Sequence, residues 1–77
     1  MTNTERFTAA YTEALTHYVT TKPEDYFYSV DGVPKVVAKM VPAYAKGDGN
    51  IGPAMKRAAK ACGIKPTLTA VREYLNS

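Results

Sequence analysis

An all-α bundle of four or five short helices around one core is the fold class this sequence predicts. The last two helices, at about residues 51–75, form a helix-turn-helix-like pair. Three observations predict it. Apolar residues recur at three- and four-residue steps in several segments, the period that winds onto one face of a helix. Pro and Gly sit where helices start and stop, not inside alternating runs. The chain has 77 residues, 45% of them hydrophobic and 22% charged. That composition is globular, and the length allows a single domain over 1–77. A domain of this size buries only about 60% of its unfolded surface, so its helices must share one core.

The first helix spans roughly 3–20. Thr2 and Glu5 have the spacing of a capping box. Phe7, Ala10, Tyr11, Ala14, Leu15 and Tyr18 fall on one face, with Thr8, Thr12 and Thr16 opposite. Pro23 ends this helix by disfavouring helical backbone in its predecessor. For residues 26–37 two readings stay open. Tyr26-Phe27-Tyr28-Ser29-Val30 is β-prone, and Asp31-Gly32 is a hairpin signal. Against the hairpin, Pro34 cannot donate to a return strand. Val33, Val36, Val37, Met40, Val41 and Tyr44 also keep a helical period, opposite Lys35, Lys39 and Lys46. A helix over about 33–45 follows, with Asp31 as its N-cap and Pro42 on its outer face, kinking or ending it. Lys46-Gly47-Asp48-Gly49-Asn50 is a loop. Asn50 is expected to cap a helix from near Ile51, with Pro53 in its first turn. Met55, Ala58, Ala59 and Cys62 face inward; Lys56, Arg57 and Lys60 face out. Gly63 supplies a left-handed stop with Ile64 packing after it. Thr67 caps a last helix to about Leu75, with Leu68, Val71, Tyr74 and Leu75 on its apolar side and Arg72 at the border.

The net charge of +3 conceals an asymmetry. From Met1 to Asp31, two cations meet five carboxylates, giving −3; from Gly32 to Ser77, eight cations meet two carboxylates, giving +6. A basic half of this kind fits a polyanionic partner. Lysines that merely keep a small domain soluble are the plainer explanation.

The segment Met55–Leu75 resembles a helix-turn-helix in outline. Ala59 stands four residues before Gly63, Ile64 follows the turn, and Thr67 opens the second helix. The motif's buried branched residue, six after the glycine, falls here on Thr69, which departs from the pattern. What the outline implies is DNA or RNA binding without catalysis. Lys56, Arg57 and Lys60 would then meet phosphates, and Lys65, Thr67, Thr69 and Arg72 would face bases. An ordinary helical hairpin with a solvated outer face is the structural alternative.

A second functional expectation rests on Tyr26-Phe27-Tyr28. Three consecutive aromatics cannot all point inward, so at least one is free to meet a protein partner, a second copy in a homodimer, or unstacked bases. The chain would then be a small adaptor or inhibitor, of the sort phages and mobile elements encode, using this patch and the acidic first helix. Other classes lack their residues. One cysteine makes no internal disulfide, and one Cys with one His makes no closed zinc site. His17 has no nucleophile motif around it, and Cys62 reads as a small inner-face hydrophobe. Gly47-Asp48-Gly49 has neither a calcium loop's ligands nor a phosphate loop's Lys-Ser/Thr. No catalytic residue, cofactor or metal is expected. No membrane span or signal peptide is read, so the expected location is cytoplasmic.

Overall fold

Four α-helices and no strand make up the computed structural model, which describes residues 1–77. Helix α1 runs Asn3–Thr21. Its start is the predicted capping box: the Glu5 N–H donates to Thr2 Oγ1 at 3.1 Å, and the Thr2 N–H donates to Glu5 Oε1 at 2.9 Å. Phe7, Tyr11, Ala14, Leu15 and Val19 are buried along it. Thr8, Thr12 and Thr16, expected opposite this face, are half-buried: at 100° per residue Thr8 falls only about 20° from Leu15, so their row starts beside the buried face and not across from it. Each threonine hydroxyl donates to the carbonyl four residues back, so none is left unpaired at the edge of the core.

Between α1 and the next helix the hairpin does not form. Two single 3₁₀ turns, Pro23–Asp25 and Val30–Gly32, carry the chain round. Helix α2 then runs Val33–Lys46, with Pro34 in its first turn and Val33, Val37, Val41 and Tyr44 buried. Asp31 is not its N-cap. It lies inside the second 3₁₀ turn, and Gly32 holds the cap position without a side-chain bond. Pro42 does not end the helix, which continues to Lys46; its ring sits on the exposed side, clear of the core. The true stop is Gly47, at φ +85°. The Gly47 N–H bonds the Tyr44 carbonyl at 3.0 Å and the Asp48 N–H bonds the Ala43 carbonyl at 2.9 Å, a Schellman closure.

Helix α3 runs Pro53–Ala61 and is preceded by Gly52, not by Asn50 as its cap. Asn50 is held elsewhere: its carbonyl accepts the Tyr44 hydroxyl at 2.7 Å. Ala54 joins Met55, Ala58 and Ala59 on the buried side. Gly63, at φ +75°, closes α3 with a second Schellman pair. The Gly63 N–H bonds the Lys60 carbonyl, and the Ile64 N–H bonds the Ala59 carbonyl, each at 3.0 Å. Helix α4, Leu68–Leu75, begins at Thr67, whose hydroxyl accepts the Ala70 N–H at 3.2 Å.

Fifteen buried hydrophobic residues form one core. Its densest part is a triad of rings. Phe7 stacks on Tyr11 at 5.8 Å, and Tyr44 meets both edge-on at 5.9 and 5.5 Å, the offset and T-shaped arrangements that ring quadrupoles favour. Helix α1 is the hub. α3 lies along it, α2 packs beside it, and α4 rests chiefly on α2. The helix, glycine turn and helix expected near the C-terminus are therefore present, but α3 and α4 are each seated on another helix.

Candidate functional site

Lys56, Arg57 and Lys60 follow from how α3 is wound. Its buried positions, Ala54, Met55, Ala58 and Ala59, fix the helix face that meets α1. At 100° per residue this leaves the three cations on the opposite arc, and all three are exposed. Arg57 is steadied by Tyr18 of α1, with its guanidinium carbon 5.9 Å from the ring centroid, within cation–π range. Lys65, in the turn, is exposed as well. Between Asp48 and Glu73 the chain carries five cations, Lys56, Arg57, Lys60, Lys65 and Arg72, and no carboxylate.

The expected base-facing residues are less uniform. Thr67 is exposed, but its hydroxyl serves the Ala70 amide, so it acts as a cap. Thr69 is exposed on the first turn of α4 and leaves the buried branched position to Val71. Arg72 turns toward α2. A Cβ on Gly47 would stand 3.2 Å from Arg72 Cδ, so the side chain lies over the C-terminal end of α2, where a cation offsets the helix dipole. The structure thus gathers Lys56, Arg57 and Lys60, places Lys65 and Thr69 at the neighbouring turn, and gives Thr67 and Arg72 local structural contacts.

The aromatic run resolves by alternation. Tyr26 has extended backbone, φ −129° and ψ 148°, and consecutive side chains in extended chain point to opposite sides. Tyr26 and Tyr28 turn inward, half-buried, and meet edge-to-face at 5.7 Å. Phe27, between them, is fully exposed. Burial pushes both phenols above the ordinary tyrosine value, and the Asp25 carboxylate adds to the effect at Tyr26. Beside Phe27 lies an open apolar groove of about 420 Å³, lined by Val19, Pro23, Tyr26 and Val30 among others. Val19, Pro23 and Val30 had no place in the sequence-based site. They belong to three different segments and meet only after folding, although the apolar character of Val30 next to an aromatic run was a usable signal.

The other hollows are less distinctive. One of about 290 Å³ lies on the far side of the Tyr26–Tyr28 pair, toward Met40 and Pro53. Another of about 270 Å³ lies between Arg6, Cys62 and Tyr74. His17 is exposed and packs edge-on against Tyr18; Cys62 is half-buried against the core. No three His, Cys, Asp or Glu side chains gather as a metal set, and no helix is long and apolar enough to cross a membrane. Comparison with known proteins leaves these surfaces to be read on their own chemistry, since no family model, no curated protein and no solved structure matches this chain.

Proposed function

We propose that the protein is a non-enzymatic nucleic-acid-binding domain that grips the sugar-phosphate backbone through the solvent arc of α3. The observation that carries this reading is the exposure of Lys56, Arg57 and Lys60 on one side of a helix, within a stretch free of carboxylates. Phosphates attract such an arc regardless of base sequence, and each neutralised phosphate releases counterions. With Thr67 engaged as a cap and Arg72 over α2, few side chains are left to read base edges. Binding is accordingly expected to be dominated by backbone contacts.

Fluorescence anisotropy with labelled DNA and RNA duplexes, titrated across salt concentration, tests the proposal. Three phosphate contacts on DNA predict a slope of roughly −2.7 in log K against log salt. Lys56→Ala or Lys60→Ala should weaken binding similarly on every sequence and lower that slope by about 1. Both positions are exposed, so helicity should not change. Absence of binding at low salt, or a Lys56→Ala/Lys60→Ala double variant that binds undiminished, would overturn it.

A further inference from the structure

We infer that the Phe27 knuckle is a docking surface for a basic, apolar segment of a partner protein. The exposure of Phe27 is imposed by the fold. Tyr26 and Tyr28 are drawn inward on either side of it and pair with each other, and a 3₁₀ turn closes each flank. The ring is therefore presented from a backbone held at both ends, with little left to order on binding. Val30 is also exposed, and the groove beside Phe27 offers an apolar floor formed by Val19 and Tyr26. A protruding aromatic next to an apolar recess is the arrangement from which interface hot spots are built.

Charge decides the occupant. Glu24 and Asp25 stand at one end of the knuckle and Asp31 at the other, all exposed. From Pro23 to Pro34 there is no Lys or Arg; the nearest cations along the chain are Lys22 and Lys35. A two-fold pairing of identical knuckles would bring these carboxylates together, and like charges across an interface are unfavourable. A partner segment carrying Lys or Arg beside its apolar residues matches both the groove and its rim. None of Lys56, Arg57 and Lys60 lines this groove.

Two short synthetic peptides test the inference: the same leucine pattern, interspersed with lysine in one and with glutamate in the other. Each is titrated into the full ¹⁵N-labelled chain and followed by NMR. The lysine peptide should shift the amides of residues 27–31 in a saturable, salt-sensitive manner. Phe27→Ala should weaken it about thirtyfold, the scale of a hot-spot residue. Asp25→Asn with Asp31→Asn should weaken it further, while Lys56→Ala leaves it unchanged. Equal binding of both peptides, or no shift at residues 27–31, overturns the inference. So does a concentration-dependent shift of those amides without peptide, which would assign the surface to a second copy. A response there to single-stranded DNA alone would assign it to base stacking and equally sink the protein reading.

Discussion

Gly49 lacks a side chain because the Tyr44 ring occupies the space that a Cβ would need. The residue is buried, although it lies in a loop, and the close approach lets the Tyr44 hydroxyl reach the Asn50 carbonyl. That hydroxyl's proton is therefore committed to Asn50, and in the 3.3 Å contact between the two phenols Tyr11 donates to Tyr44. Gly49→Ala should destabilise the fold by about 1–3 kcal/mol, the usual range for overpacking. Gly52→Ala, with nothing within 4 Å of its added carbon, meets no clash and should lose only the smaller preference for glycine over alanine at an N-cap. Urea denaturation of the two variants measures the difference, and equal midpoints would refute the packing argument. This constraint is invisible in Gly47-Asp48-Gly49, which reads only as a turn. The displaced caps at Asp31 and Asn50 have a related cause. Asp31 stands one residue before Gly32 and Asn50 two residues before Gly52, and each of these glycines takes the cap position ahead of a proline-bearing first turn. A side-chain oxygen one or two residues farther out no longer reaches the first-turn amides.

Helix ends show how far local rules extend. The Gly63 closure of α3 was legible because its parts are consecutive: an apolar periodic run, a glycine, then Ile64. Nothing lies within 4 Å of a Cβ built on Gly63, so its substitution cost is one of backbone conformation alone. Gly63→Ala should lower stability by about 1–2 kcal/mol, the penalty of a left-handed non-glycine residue. Gly63→Asn should lose less. Thermal unfolding checks both, since about 1 kcal/mol moves the midpoint of so small a domain by roughly 4–8 °C. Identical melting of Gly63→Ala and the parent would show that the turn does not hold the helix end. The spans of α1 and α2 were legible to within a residue from their apolar periods, although in α2 the chain passes through Pro42 and is closed by Gly47. Residues 26–30 were not. Their aromatic run has no helical period, and which ring turns inward depends on Tyr26 and Tyr28 meeting each other and the core.

For the molecule as a whole, the radius of gyration is 11.5 Å, the value expected of a folded domain of this length. Such a small core places much of its apolar area in tyrosines, and this makes stability depend on alkaline pH. Burial raises the phenols of Tyr11 and Tyr44. At Tyr11 the hydrogen bond donated to Tyr44 raises it further; at Tyr44 the same bond partly opposes the effect of burial. The folded state thus binds these protons more tightly than the unfolded chain does. Their stabilisation is complete below the ordinary phenol value of about 10 and is lost as pH climbs past it. Urea midpoints should fall steeply above that pH, with tyrosinate absorbance from these two rings appearing only on unfolding. Tyr11→Phe should flatten the decline, and a midpoint independent of pH there would contradict the assignment. The basic arc of α3 could be read by winding one helix, whereas the groove beside Phe27 required three segments to converge. One further contact sets the polarity of the molecule. The Asn3 side-chain amide donates to the Tyr74 carbonyl at 3.1 Å and to Ser77 Oγ at 2.9 Å, tying the two chain ends together. They meet at the start of α1, and the Phe27 knuckle follows its far end, about 27 Å away at 1.5 Å per residue. A label or fused domain on either terminus therefore emerges from the pole opposite the aromatic knuckle, and both termini can carry cargo while that surface stays open.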